Sequence, residues 1–111
     1  MKKIVVINSE FFGKGSDELG KKLMASFLRK MWIEQNQPDA IIFYNSGVKL
    51  LAAGSTVLDA LEGIFRNGVD LVACGTCIAF YQLKNKIIIG RTSDMREIVS
   101  LLMNSDNVIT L

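Results

Sequence analysis

The only two cysteines of this 111-residue chain, Cys74 and Cys77, stand three residues apart. A C-x-x-C pair at a strand-to-helix junction sets a thiol against free helix N–H groups, which favour thiolate, the form that attacks sulfur and binds metal. The competing reading is two small buried residues that simply pack well. The chain has no histidine, which removes imidazole bases, Ser-His-Asp and Cys-His catalysis and histidine metal ligands. Two cysteines cannot close a tetrahedral zinc site within one chain, so no metal is expected. Thiol exchange remains, and it needs no organic cofactor.

The elements that must position this pair follow from the apolar pattern. Runs at 4–7, 40–44, 71–73, 87–89 and 108–109 are continuous rather than alternating, as strands covered on both faces require, and all five read as buried. Longer helical patterns separate them. The first helix opens at the N-cap Ser16, with Asp17 and Glu18 in its first turn, and is expected to bury Leu19, Leu23, Met24, Phe27, Leu28 and Met31. A second starts near Ser55, aligns Val57, Leu58, Leu61, Ile64 and Phe65, and stops at Asn67-Gly68. A third follows Cys74-Gly75-Thr76, and a fourth spans 94–103 with Ile98, Val99 and Leu102 inward. The expected fold is one α/β domain over residues 1–111 with a five-stranded, mainly parallel sheet.

Ligands of open parallel sheets bind beyond the carboxyl ends of the strands. Three loops share that rim: 8–15, 45–54 and 74–77. Gly13-Lys14-Gly15-Ser16 follows a strand and opens a helix, where backbone N–H groups could cradle an anion. It has neither the Walker spacing nor, with Glu18 in place of the third glycine, the dinucleotide fingerprint, so a tight turn is the simpler account. The ligand-binding candidates on the rim are Asn8, Glu10, Gly13, Gly15, Asn45, Gly75 and Thr76. Phe11 and Phe12 are adjacent aromatics in a rim loop and cannot both point inward along one strand face. With Phe80 and Tyr81 they carry more apolar surface than a small monomer leaves solvated, which implies burial between subunits.

Net charge is +2 with Lys and Arg spread along the chain, so no footprint for a nucleic-acid backbone is visible. The apolar run after Met1-Lys2-Lys3 ends at Asn8, short of a signal h-region. No run is long enough to cross a membrane. A cytoplasmic location is expected, where a close cysteine pair is more often redox-active, catalytic or metal-binding than a structural disulfide.

At the level of whole segments the chain resembles the DsrE-like domain of sulfur-relay proteins, and most narrowly the C-terminal domain of the YedF group, described as sulfurtransferase-like selenium-metabolism proteins. The resemblance is carried by residues 4–10, the Gly13-Lys14-Gly15 turn, the Phe43-Tyr44-Asn45-Ser46-Gly47-Val48-Lys49-Leu50 stretch, and Gly68-Val69-Asp70 leading into Cys74-Gly75-Thr76-Cys77. It implies a flavodoxin-like α/β/α sandwich that assembles as a trimer or hexamer. It also implies a persulfide on Cys74, with Cys77 as the second thiol that releases product by forming a disulfide. Where relatives often have Arg-Gly, this chain has Tyr81-Gln82, and where others have Asp it has Ala79, which leaves backbone N–H groups as the stabilisers of anionic sulfur. YedF-type proteins also carry an N-terminal sulfur-carrier domain that is not in this sequence, so the resemblance implies either sulfur-donor and sulfur-acceptor proteins acting in trans or a longer protein of which these residues are one domain.

The competing function is a non-catalytic oligomeric binding module with structural or regulatory cysteines. A dithiol oxidoreductase is disfavoured by the absence of a helix-opening proline. Three residues across a strand-to-helix turn return the chain on itself, so the Cα atoms of the pair are expected within the disulfide range of about 4.4 to 6.8 Å. Cys74, at the open rim, is then expected to be the more exposed thiol and Cys77, on a packed helix, the more buried.

Overall fold

Strands β1 (Lys3–Ile7), β2 (Ala40–Phe43), β3 (Asp70–Cys74), β4 (Arg91–Ser93) and β5 (Asn107–Thr110) form one sheet in the order β4-β3-β2-β1-β5, in a computed structural model that describes residues 2–111. Every pairing is parallel. Alternation along the three central strands sends side chains to two separate cores. Val5, Ile7, Ile41, Phe43, Leu71 and Ala73 join the core under α1 (Asp17–Trp32) and α2 (Leu58–Arg66). Ile4, Val6, Ala40, Ile42, Val72 and Cys74 join a second core with Ile98 of α4 (Met95–Met103). Because both faces are covered, each central strand reads as a continuous apolar run. This is the expected three-layer sandwich. The order departs from the flavodoxin arrangement in that the strand beyond β1 is the last of the chain, reached by α4 crossing the second face.

Helix α1 begins as its sequence dictates: the Ser16 side chain accepts the Leu19 N–H at 3.2 Å, meeting one of the free donors of the first turn. Its buried line is Gly20, Met24 and Leu28. Leu19 and Leu23, expected inward, are exposed, because a helix lying flat on a sheet buries a stripe narrower than its full apolar arc. Helix α2 starts at Leu58 instead of near Ser55, and its Phe65 is exposed. Asn67 caps its C-terminus and Gly68 follows at φ +94°, the expected stop. Gly63 costs helix propensity but is required by packing: a Cβ there would lie 2.0 Å from the Trp32 ring. Helix α4 is capped by Asp94, which accepts from the Glu97 N–H at 3.0 Å. Only Ile98 is fully buried, while Val99 is exposed and Leu102 half-buried.

Two strand expectations need correction. The 87–89 run is not the fourth strand: Ile87 bridges antiparallel to Ala52, and the Ile88 N–H donates to the Leu51 carbonyl at 2.8 Å. The chain then turns at Gly90, φ +90°, into the polar edge strand β4. Strands β4 and β5 are also largely exposed, not buried, because each occupies a sheet edge that one helical layer at most overhangs.

Candidate functional site

Cys74 ends β3 and Cys77 lies in the first turn of α3 (Gly75–Phe80). The strand's alternation aims Cys74 into the core beneath α4, where it is 1 % exposed. Cys77 is half-exposed and packs where the two cores meet. The exposures are the reverse of the expected ones. A strand-terminal residue keeps its strand's facing, whereas the residue one turn into a short helix lies over the rim. The Cys74 thiol lies close enough to Cys77 to disfavour its thiolate, and neither cysteine is in a disulfide.

The Cys77 sulfur accepts the backbone N–H of Asn45 at 3.0 Å. Asn45 opens the 3₁₀ segment Asn45–Leu51 with φ +51°, a left-handed backbone. Its side-chain oxygen accepts the Tyr81 hydroxyl at 2.9 Å. The Lys49 ammonium sits 4.5 Å above the Tyr81 ring and 3.4 Å from Glu10, whose own N–H donates to the Ser46 hydroxyl at 3.1 Å. Gly47 lets the 3₁₀ segment come this close to β1: a Cβ there would lie 2.3 Å from the Ile7 carbonyl oxygen.

Burial, and after it the nearby Cys74 thiol, pushes the Cys77 thiol above its ordinary range, while the Asn45 N–H pulls it down. The thiol-lowering effect expected of a helix N-terminus is not the outcome. Helix α3 has six residues, too few to build much of a dipole, and desolvation outweighs it. The one contribution that favours the Cys77 thiolate is the Asn45 backbone N–H.

Of the rim candidates, the structure brings together Asn45, Glu10 and the two cysteines. Gly75 and Thr76 lie between the cysteines, and a Cβ at Gly75 would lie tight against the Ser93 carbonyl oxygen, at 3.0 Å. Gly13 and Gly15 adopt φ +84° and +138° in an exposed turn. They serve as the strand-to-helix turn, since the Leu19 N–H they lead to is taken by Ser16. Asn8 is half-buried just before the Glu10 loop and has no part in the network. Sequence reasoning gave Lys49 and Ser46 no role, and met Tyr81 as the residue standing in for arginine and as part of the rim's apolar surface. A cavity of about 300 Å³ adjoins the network, with Glu10, Lys49 and Lys21 on its walls.

Among the described residues, no group of three or more His, Cys, Asp or Glu side chains could hold a metal ion, and no helix is long and apolar enough to cross a membrane.

These features define a parallel-sheet α/β protein with paired thiols at the carboxyl rim of its sheet. The chain belongs to the DsrE/DsrF-like family, whose model matches residues 1–111. A search of curated proteins finds no match. Among solved structures, the chain is similar to the ychN protein of E. coli at 18% identity and a TM-score of 0.68, with 100% of both chains covered. It is similar to a protein of unknown function, MTH1491 from Methanobacterium thermoautotrophicum, at 19% identity and 0.70, also with 100% of both covered. BT1422 from Bacteroides thetaiotaomicron, another protein of unknown function, matches at 15% and 0.66, covering 99% of this chain and 95% of the other. At these identities the likeness is one of fold. Family membership points to sulfur relay at a general level.

Proposed function

We propose that the protein carries sulfur as a cysteine persulfide, with Cys77 as the receiving thiol and Cys74 as the resolving thiol. The observation that carries this reading is that Cys77 alone of the pair is open at the rim, with the Asn45 N–H on its sulfur and the Cys74 thiol close behind it. This reverses the roles that the family resemblance implied, because the buried Cys74 cannot meet a donor first.

In the first step the Cys77 thiolate attacks the outer sulfur of a donor persulfide, R–S–SH. The new bond is Cys77 S–S, the donor's S–S bond breaks, and the donor leaves as its thiolate. Delivery takes one of two balanced routes. An acceptor thiolate attacks the outer sulfur and restores the Cys77 thiolate. Alternatively, the Cys74 thiolate attacks the inner Cys77 sulfur, expels HS⁻ and leaves a Cys74–Cys77 disulfide, which a partner dithiol must then reduce. Donor and acceptor are separate proteins in this reading, and the YedF-like segment pattern supports selenium as a second cargo.

Self-association, the feature shared with the binding-module reading, is favoured by exposed apolar side chains: Phe80 of α3, 79 % exposed, and Met95, Val99 and Met103 along α4. The test is intact mass and peptide mapping after incubation with a cysteine desulfurase and free cysteine. The persulfide reading expects a gain of one sulfur on Cys77, absent in Cys77→Ser and present in Cys74→Ser. No gain on either cysteine leaves the binding module.

A further inference from the structure

Cys77, Asn45 and Tyr81 form a closed ring of contacts. The Cys77 sulfur accepts from the Asn45 N–H, the Asn45 side chain accepts from the Tyr81 hydroxyl, and the Tyr81 N–H donates back to the Cys77 carbonyl at 3.1 Å. Asn45 presents its N–H to the sulfur from a left-handed backbone, a region asparagine tolerates at a cost. Among the described residues it shares that property with one other non-glycine residue, Gln82, at φ +58°. Gln82 directly follows Tyr81, so the unusual backbone lies at both ends of the Asn45–Tyr81 hydrogen bond. The Tyr81 ring is held in turn by the Lys49 ammonium on its face and the edge-on Phe80 ring at 5.2 Å. Lys49 is tethered to Glu10.

We propose that Tyr81 and Lys49 are positioning residues for the Cys77 sulfur, acting through the left-handed backbone of Asn45. Tyr81 clamps the Asn45 side chain, the clamp keeps its N–H on the sulfur, and Lys49 fixes the Tyr81 ring. The inference rests on the reading of Cys77 as the reactive thiol. Asparagine at position 45 and tyrosine at 81 are thus a matched pair, in which Tyr81 occupies the place of the relatives' arginine without supplying a charge.

The test is the pH profile of Cys77 alkylation by iodoacetamide, with the label located by fragment-ion mapping. It reads the thiolate directly and uses no sulfur donor, so a failure here is distinct from a failure of persulfide loading. Tyr81→Phe removes only a hydroxyl from a half-buried ring. It should move the midpoint up by about one pH unit and slow alkylation at neutral pH about tenfold, the size expected for losing an N–H bond to a charged sulfur. Glycine adopts a left-handed backbone freely, so Asn45→Gly in the Tyr81→Phe background should restore most of the lost rate, and Lys49→Met should shift the profile in the same direction as Tyr81→Phe. A Tyr81→Phe profile that superimposes on the unmodified protein's overturns the proposal. So does a shifted profile that glycine at position 45 fails to rescue.

Discussion

The Cys74 thiol lies close enough to Cys77 to disfavour its thiolate, yet Cys74 is sealed in the core beneath α4 while Cys77 sits at the seam where both cores reach the rim. Order of access is therefore built into the pair. Limiting iodoacetamide should label Cys77 first, and Cys74 only as the region opens. Finding the first label on Cys74 by peptide mapping would reverse the roles proposed here.

Gly47 fixes how closely the 3₁₀ segment approaches β1. An added Cβ meets a backbone oxygen, Ile7 O, at 2.3 Å, and backbone cannot swing aside as a side-chain tip can. Gly47→Ala should cost about 2 kcal/mol or more of stability, and by displacing Asn45 it should also slow Cys77 alkylation. Equilibrium urea unfolding with an unchanged m-value checks the first part.

Gly63 presents two opposed effects of known size. Alanine gains about 1 kcal/mol of helix propensity, but its Cβ would fall 2.0 Å from the Trp32 ring, so the indole must leave its place between α1 and α2, at a cost of about 2 to 3 kcal/mol. Gly63→Ala should therefore destabilise the protein by about 1 to 2 kcal/mol. In a Trp32→Ala background the same change should turn neutral or stabilising, and persistence of the loss there refutes the packing account.

Arg91 joins two elements through paired hydrogen bonds, to Asp70 at 2.9 Å and to Glu97 at 2.7 Å, and the Ser93 hydroxyl also donates to Glu97. Those contacts, Arg91 foremost, lower the Glu97 carboxyl from its ordinary 4.5 to about 2. Because the folded value lies below the unfolded one, the stabilisation is complete above about pH 4.5 and is lost as pH falls toward 2. The side chains are more than a third exposed, so solvent screening keeps the effect under about 1 kcal/mol. Acid titrations followed by circular dichroism should show a shallower loss over this window in Glu97→Gln.

Self-association should respond to the exposed apolar side chains of α3 and α4. Phe80→Glu with Met103→Glu should shift sedimentation to the single-chain mass without changing the fold. A unmodified protein that sediments only as a 12.3 kDa species at micromolar concentration contradicts the assembly proposal.

What the sequence disclosed was whatever depends on local chemistry. Ser16 reads as a cap because its side chain competes for helix N–H groups wherever it stands, and Asn67-Gly68 reads as a stop because glycine takes φ +94° easily. The central strands were legible because burial on both faces leaves a continuous apolar run. Strand β4 was not, since an edge strand of Arg, Thr and Ser carries no apolar signal and the nearby Ile87, Ile88 and Ile89 gave a false one. At the site, the cysteines were visible by spacing, but their exposures hung on strand facing near a chain reversal. The contacts of Tyr81 with Asn45 and with Lys49 each join residues more than 30 positions apart, and only the folded chain brings them together.

Strand β5 pairs with β1 across nearly the full length of the chain, with Lys2 donating to Asp106 at 2.7 Å, and the helix leading into β5 is the cover of the second core. During synthesis from the N-terminus, the first four strands emerge before that cover. Ile4, Val6, Ile42, Val72 and the Cys74 thiol therefore face water, or another nascent chain, until residues 95–110 have left the ribosome. The thiol that is sealed in the finished protein is thus open to oxidation and mispairing while it is being made.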